Sequence, residues 1–202
     1  HLNLNHNLIS LLKFKHFENL INLKRLDLAY NLIKNLNSEV FNNLHSLEIL
    51  DLSFNRINNL NNSLLVLNNL KSVYLASTRI ENIAFNDSTK IEILYLSRTT
   101  IILLKSINFT QYLNLIELDL SYINLGSKFL LNIPFSDMKK LKTLYFKDTY
   151  LDYSLNFLSE IPTLVNFDMS LNNIFAKYSF IYQNLIILES LYISNTDLEY
   201  LE

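Results

Sequence analysis

The chain contains no cysteine and no tryptophan, and only one glycine (Gly126) and two prolines (Pro134 and Pro162) in 202 residues. Without cysteine there is no disulfide framework, no thiolate nucleophile and no thiolate metal site in this stretch, although the compartment stays open. Gly and Pro fall far below their usual ~7% and ~5%, so the turns cannot be punctuated in the ordinary way and other residues must shape the bends. No apolar run approaches the ~20 residues of a membrane helix, so no direct membrane insertion is expected within this segment. The opening His1-Leu2-Asn3-Leu4 lacks the basic-then-apolar layout of a signal peptide. Neither sign of charge dominates: 17 Lys and Arg against 19 Asp and Glu leave a net −2. The basic residues are scattered, which gives no electrostatic footprint for nucleic acid or an anionic membrane, and neither is expected as a partner.

Half of the residues are hydrophobic and 18% are charged, the balance of a chain that can bury a sizeable core. Asn is abundant, together with Ile, Lys, Tyr and Phe. These are amino acids of AT-rich codons, and that bias accounts for much of the Asn content.

Self-similarity is the strongest feature. Leu2-Asn-Leu4, Leu26-Asp-Leu28, Leu50-Asp-Leu52, Val73-Tyr-Leu75, Leu94-Tyr-Leu96, Leu118-Asp-Leu120, Leu144-Tyr-Phe146, Phe167-Asp-Met169 and Leu191-Tyr-Ile193 align, with spacings of 24, 24, 23, 21, 24, 26, 23 and 24 residues. We call the first residue of each triplet its anchor. Three residues before the anchor stand Leu23, Leu47, Leu70, Ile91, Leu115, Leu141, Leu164 and Leu188. Nine before stand Phe17, Phe41, Leu64, Phe85, Phe109, Phe135, Leu158 and Tyr182, and seven after stand Ile9, Ile33, Ile57, Ile80, Ile101, Leu125, Leu151, Ile174 and Leu198. A coiled coil would need period 3.5 and an array of helix pairs long 3.6-period segments; neither fits.

Each triplet predicts a short strand, because alternate residues of a strand share a face and both apolar ones must face one core. Neighbouring coils then stack these strands in parallel, with a large ring filling the coil on the return leg. No single coil can bury its apolar face alone, so stability comes from stacking. Five residues after the anchor stand Asn7, Asn31, Asn55, Thr78, Thr99, Ile123, Thr149, Asn172 and Thr196. An inward Asn can satisfy backbone groups freed where the strand bends, and Thr offers one hydroxyl for the same task, so all but Ile123 are expected to form a structural ladder. The repeat holding Ile123 is the longest and contains Gly126 and Pro134, which predicts an irregular excursion there.

These residues resemble the leucine-rich repeat family, L-x-x-L-x-L-x-x-N-x-I preceded by F-x-x-L, as in Phe41-Asn-Asn-Leu44-His-Ser-Leu47-Glu-Ile-Leu50-Asp-Leu52-Ser-Phe-Asn55-Arg-Ile57. The repeat length, the return-leg Phe and the recurrent Asp-Leu-Ser are similar to the typical class of animal extracellular proteins, including Toll-like receptor ectodomains and chaoptin. The resemblance implies an α/β repeat solenoid, a horseshoe with about nine short parallel strands on its concave face and irregular or short helical segments on its convex side. It is expected to be one array over residues 1–202, truncated at both ends and without caps.

The four histidines, His1, His6, His16 and His45, have no metal-motif spacing to carboxylates, and no H-E-x-x-H, G-x-S-x-G or Gly-rich phosphate loop occurs. The expected function is therefore non-enzymatic and without cofactor: recognition or adhesion. By resemblance, the chain would form part of a receptor or cell-adhesion ectodomain on the extracellular side of the plasma membrane. The alternative is a cytoplasmic leucine-rich repeat scaffold or the regulatory subunit of an enzyme. The outward strand positions are the candidate binding surface, with Tyr74, Tyr95, Arg98, Asp119, Tyr122 and Tyr145 as its centre. Such a patch suits a protein or glycan ligand, homophilic pairing included. Asn61, Asn86 and Asn108 stand in N-x-S/T triplets and are candidate N-glycosylation sites on the return side.

Overall fold

The computed structural model describes residues 1–125, 133–151, 155–173 and 185–196. Nine strands form one parallel sheet in sequence order: β1 (Leu2–Asn3), β2 (Arg25–Asp27), β3 (Ile49–Asp51), β4 (Ser72–Tyr74), β5 (Ile93–Tyr95), β6 (Glu117–Asp119), β7 (Thr143–Tyr145), β8 (Asn166–Asp168) and β9 (Ser190–Tyr192). Every anchor pairs with the next anchor, from Leu2 with Leu26 through Leu50 with Val73 to Phe167 with Leu191. The register is therefore the one the repeat spacing predicts. The register is repeated just before each strand, where one carbonyl accepts two successive N–H groups of the next coil: Lys24 from Glu48 and Ile49, Glu48 from Lys71 and Ser72, Lys71 from Glu92 and Ile93.

The apolar offsets fill the inside of the coils. Leu26, Leu50, Val73, Leu94, Leu118, Leu144 and Phe167 are fully buried, and Phe17, Phe41, Phe109 and Phe135 close the core on the return leg. Among the described residues that leg is built of short 3-10 segments, Phe14–His16, Ser88–Lys90, Phe109–Gln111, Phe135–Asp137 and Asn156–Glu160, with one short helix, α1 (Ile101–Ser106). The 21-residue repeat leaves Phe85 only half-buried, and the buried ring of Tyr112 packs edge-on against it at 6.3 Å. Towards the other end Phe135, Phe146, Phe157 and Phe167 form a connected aromatic core, with centroids 5.0 to 6.5 Å apart. Tyr182, Ile174 and Leu198, and residues 126–132 of the expected excursion from Leu125 to Pro134, lie outside the described residues.

The scarcity of glycine is resolved by the backbone itself. His6, Tyr30, Phe54, Ser77, Arg98, Tyr122, Asp148, Leu171 and Asn195 all lie four residues after an anchor, and all have φ between 50° and 60°. This left-handed conformation costs a non-glycine residue ~1–2 kcal/mol, so each coil must hold it by other means. Three sets of hydrogen bonds do so. The N–H of the left-handed residue donates to the next coil: His6 to Ala29 O, Tyr30 to Ser53 O, Phe54 to Ala76 O, Ser77 to Ser97 O and Arg98 to Ser121 O. Where the strand carries Asp, its carboxylate accepts the N–H two residues on, as in Asp27 with Ala29, Asp51 with Ser53, Asp119 with Ser121 and Asp168 with Ser170.

The third set is the Asn and Thr column. Asn55 Oδ1 accepts the Ile33 N–H of the preceding coil, while Nδ2 donates to Leu28 O of that coil and to Leu52 O and Ser53 O of its own. Asn31 bonds Ile9 N, Leu4 O, Leu28 O and Ala29 O in the same pattern. Asn172 does likewise towards Leu151 N, Thr149 N and Phe146 O. Thr78, Thr99, Thr149 and Thr196 donate to the carbonyl three residues back in their own coil. Asn7, exposed in the first coil, bonds Leu4 O and Asn5 O. Asn thus ties two coils together and Thr chiefly finishes one.

A second use of Asn runs along the return leg. Asn43, Asn69 and Asn114 each donate Nδ2 to a carbonyl of the preceding coil, those of Glu18, His45 and Thr89. Codon bias therefore does not exhaust the Asn content; these amides pair backbone that has no strand partner.

Asn55→Leu strips four hydrogen bonds from a buried site and leaves backbone groups unpaired, which should cost about 3 kcal/mol or more in urea unfolding. Asn55→Thr should cost less, and Ile123→Asn should be mild or favourable. Equal losses for Asn55→Leu and Ile123→Asn would contradict the ladder's role.

Candidate ligand-binding face

The outward side chains of the strands form columns, because equivalent offsets in neighbouring coils sit one strand spacing apart, ~4.8 Å. In the column one after the anchor, Tyr74 and Tyr95 meet edge to face at 5.0 Å. Tyr95 then reaches past the Asp119 coil to Tyr145, with centroids 6.0 Å apart. It can do so because the short Asp119 carboxylate folds back onto the Ser121 N–H, 2.9 Å away. In the left-handed column the Arg98 guanidinium lies over the Tyr122 ring, 4.3 Å from its centroid. The six residues singled out from the sequence thus fall into two clusters: Tyr74, Tyr95 and Tyr145 on the sheet, and Arg98 with Tyr122 at its edge. Asp119 belongs to a turn as much as to a surface.

Glu117, absent from that set, joins the tyrosines. The Tyr95 hydroxyl donates to Glu117 Oε1 at 2.5 Å. Burial first, then this carboxylate, pushes the Tyr95 phenol well above its ordinary value, and the same two causes raise Tyr145 and Tyr74. The signal was present one residue before the anchor, where Arg25, Ile49, Ile93 and Glu117 face outward, but a lone carboxylate there announces nothing until the tyrosines surround it. Burial also lifts Asp51, with the Asp27 carboxylate of the preceding coil adding to the effect. The centre of the face is thus three half-buried phenol rings packed edge to face, with the Tyr95 hydroxyl held on the Glu117 carboxylate.

Of the remaining candidates, Asn86 and Asn108 are exposed, bonding Asn68 Oδ1 and the Thr110 N–H respectively. Asn61 donates to Leu36 O, and the Ser63 hydroxyl of its triplet is fully buried without a partner. Glycan transfer at Asn61 would have to precede folding. Among the described residues, no group of three or more His, Asp or Glu side chains could hold a metal ion, and no helix is long and apolar enough to cross a membrane.

A single-layer solenoid of parallel strands, repeated every ~24 residues around an Asn ladder, defines the class. The leucine rich repeat family model matches residues 1–57 and 21–80, and β5 to β9 carry the same register onward, so the fold of that family runs through the described chain. No curated protein matches it by sequence. Among solved structures it is similar to TLR13 in its complex with ssRNA13, at 22% identity and a TM-score of 0.76 over 98% of this chain and 33% of that one. It is similar to an internalin, InlF, of Listeria monocytogenes, at 20% identity and a TM-score of 0.73 over 98% and 55%. It is also similar to the leucine-rich repeat domain of APL1B, at 21% identity and a TM-score of 0.66 over 98% and 64%. At these identities the likeness is one of fold, and the chain spans less than two thirds of each of those chains. Leucine-rich repeat domains are generally protein-binding modules.

A phenol kept protonated in the fold but free to ionise in the unfolded chain stabilises the protein fully below pH ~10 and progressively less as the pH rises above it. Unfolding free energy should therefore be flat to about pH 9 and fall beyond about pH 10. Tyr95→Phe should reduce that fall, leaving the share of Tyr112, which burial raises to about 12. An identical alkaline profile in wild type and Tyr95→Phe would show that Glu117 does not hold the phenol.

Proposed function

We propose that this array is a recognition module of a receptor or adhesion ectodomain on the extracellular side of the plasma membrane, and that it takes a protein or glycan ligand on the concave face. The observation that carries this reading is the Tyr74, Tyr95 and Tyr145 cluster on Glu117, beside the stacked Arg98 and Tyr122 pair. Large, stiff aromatic groups and Arg dominate binding hot spots because they cover area at little entropic cost. Outward side chains in adjacent columns make a broad surface, which suits an extended partner more than a small substrate. The ~24-residue repeat, and solved relatives that include a Toll-like receptor and a plant membrane receptor kinase ectodomain, support the extracellular assignment.

The test is secretion from animal cells behind a supplied leader, with glycan occupancy read by mass spectrometry and the product screened on arrays of glycans and extracellular proteins. Occupancy at Asn86 and Asn108 is expected. Tyr95→Ala combined with Tyr122→Ala should weaken the captured ligand by ~2 kcal/mol, about 30-fold, with the circular dichroism of the wild type. Normal binding by that double variant, with loss of binding on substitution between Leu125 and Pro134, would move the site to the lateral side.

A further inference from the structure

A row of arginines runs up the flank of the solenoid where the chain leaves each strand. Three of the chain's four arginines stand there in successive coils: Arg56 and Arg79 six residues after their anchors, and Arg98 four after its own, all exposed. The backbone fixes their spacing. The Arg56 N–H donates to Ile33 O and the Arg79 N–H to Ile57 O, each in the preceding coil, so the two side chains leave the surface one strand spacing apart, ~4.8 Å. Arg98 is steadied over the Tyr122 ring at 4.3 Å. Among the described residues the ion pairs are those of Glu48 with Lys24 and Lys71, and none reaches these arginines.

The edge where the chain enters each strand shows how charge is arranged when its role is structural. Two residues before the anchor stand Lys24, Glu48, Lys71 and Glu92, alternating in sign, and Glu48 bridges both lysines at 3.3 Å. The arginine row has no such alternation, and like charges on neighbouring strands repel. It is not a sample of a generally basic surface either. Residues 24–28, 48–52, 71–75, 92–96 and 116–120, the strands and their approaches, hold three Lys or Arg against six Asp or Glu. Residues 5–14, 29–38, 53–62, 76–85 and 97–106, the segments that leave the strands, hold Lys13, Lys34, Arg56, Arg79, Arg98 and Lys105 against Glu81 alone. Charge is segregated within each coil, and the repeat period is what scatters these cations along the sequence.

We infer that this flank binds a linear sulfated glycan, with its sulfates seated between successive guanidinium groups. The Arg fork matches an oxyanion with two parallel donors, and an anion between Arg56 and Arg79 removes their repulsion. A polymer carrying sulfate or carboxylate on successive sugars suits a row better than a single ion does. Two other polyanions fit less well. Single-stranded nucleic acid takes much of its affinity from bases stacked on aromatic faces, and beside this row Tyr30 is covered by His6 and Phe54, and Tyr122 by Arg98. An extended acidic peptide would gain from backbone pairing, but the Arg56, Asn58 and Arg79 N–H groups are already spent between coils. The site lies outside the tyrosine cluster and goes beyond the concave-face reading.

The test is calorimetric titration of a heparin hexasaccharide into the whole chain, with circular dichroism to check that each variant is folded. Arg56→Gln with Arg79→Gln should weaken binding by about tenfold or more. Lys139→Gln with Lys140→Gln, an equal loss of charge at exposed lysines of another coil, should stay within about twofold of the wild type. Glu81→Gln should tighten binding, and Tyr95→Ala should leave it unchanged. No binding at millimolar hexasaccharide, equal losses in the two double variants, undiminished affinity for the desulfated hexasaccharide, or tighter binding of an RNA hexanucleotide or a hexaglutamate peptide would each overturn the assignment. If Tyr95→Ala weakens binding where the arginine pair does not, the flank site fails and the concave-face reading stands.

Discussion

The left-handed turn after each strand is the constraint on which the rest depends. A parallel sheet whose coils return within ~24 residues must bend sharply where each strand ends, and that bend demands positive φ at one position per coil. Glycine would satisfy it without steric cost. This chain places His, Tyr, Phe, Ser, Arg, Asp, Leu or Asn there instead, nine times over. Beside the Asp, Thr and Asn bonds within each coil, the bend is held by bonds that exist only when coils are stacked: the left-handed N–H to the next coil, and the Asn amide to the previous one. Local geometry and stacking are therefore one cooperative unit, and a coil without neighbours would lose both its core and its turn.

Periodicity carried most of the fold because the constraint repeats. Four apolar offsets in eight or nine copies set strand centres, register and inward faces, and the pairing of Leu26 with Leu50 and onward follows them. The Asn and Thr column was legible for the same reason. What escaped was anything whose meaning lies in a dihedral or in a contact between coils. Nothing in Tyr30 or Arg98 as residue types says that φ is positive there. The Asp at the outward strand position reads as a solvent-facing residue until its carboxylate is found on the N–H two residues on. Asn69 and Asn114 stand four residues before an anchor and Asn43 seven before, too few copies at either offset to announce a column, and only the carbonyls they reach reveal the second ladder.

The candidate face was legible in part. Column arithmetic brought Tyr74 and Tyr95 together, and likewise Arg98 and Tyr122. It could not foresee that Asp119 turns away to its own backbone and lets Tyr145 approach Tyr95, nor that Glu117 gathers the phenols. Side-chain direction depends on which hydrogen bond wins locally. For a short carboxylate beside a free N–H the nearest partner wins; the longer Tyr95 phenol reaches the Glu117 carboxylate of the neighbouring coil.

The scarcity of glycine then has a consequence for recognition as well as for folding. A turn built on glycine presents bare backbone at the edge of the sheet. A turn built on a side-chain-bearing residue in the same conformation projects that side chain at a fixed angle, and the backbone bond to the next coil fixes its height. Nine such turns make a ruler of positions ~4.8 Å apart along the sheet edge. Flat groups at consecutive positions stack because the spacing is close to aromatic contact distance, as His6, Tyr30 and Phe54 do. The strain accepted at each turn is thereby converted into preorganised surface: the rings are ordered before any ligand arrives, so little rotamer freedom remains to be lost on binding.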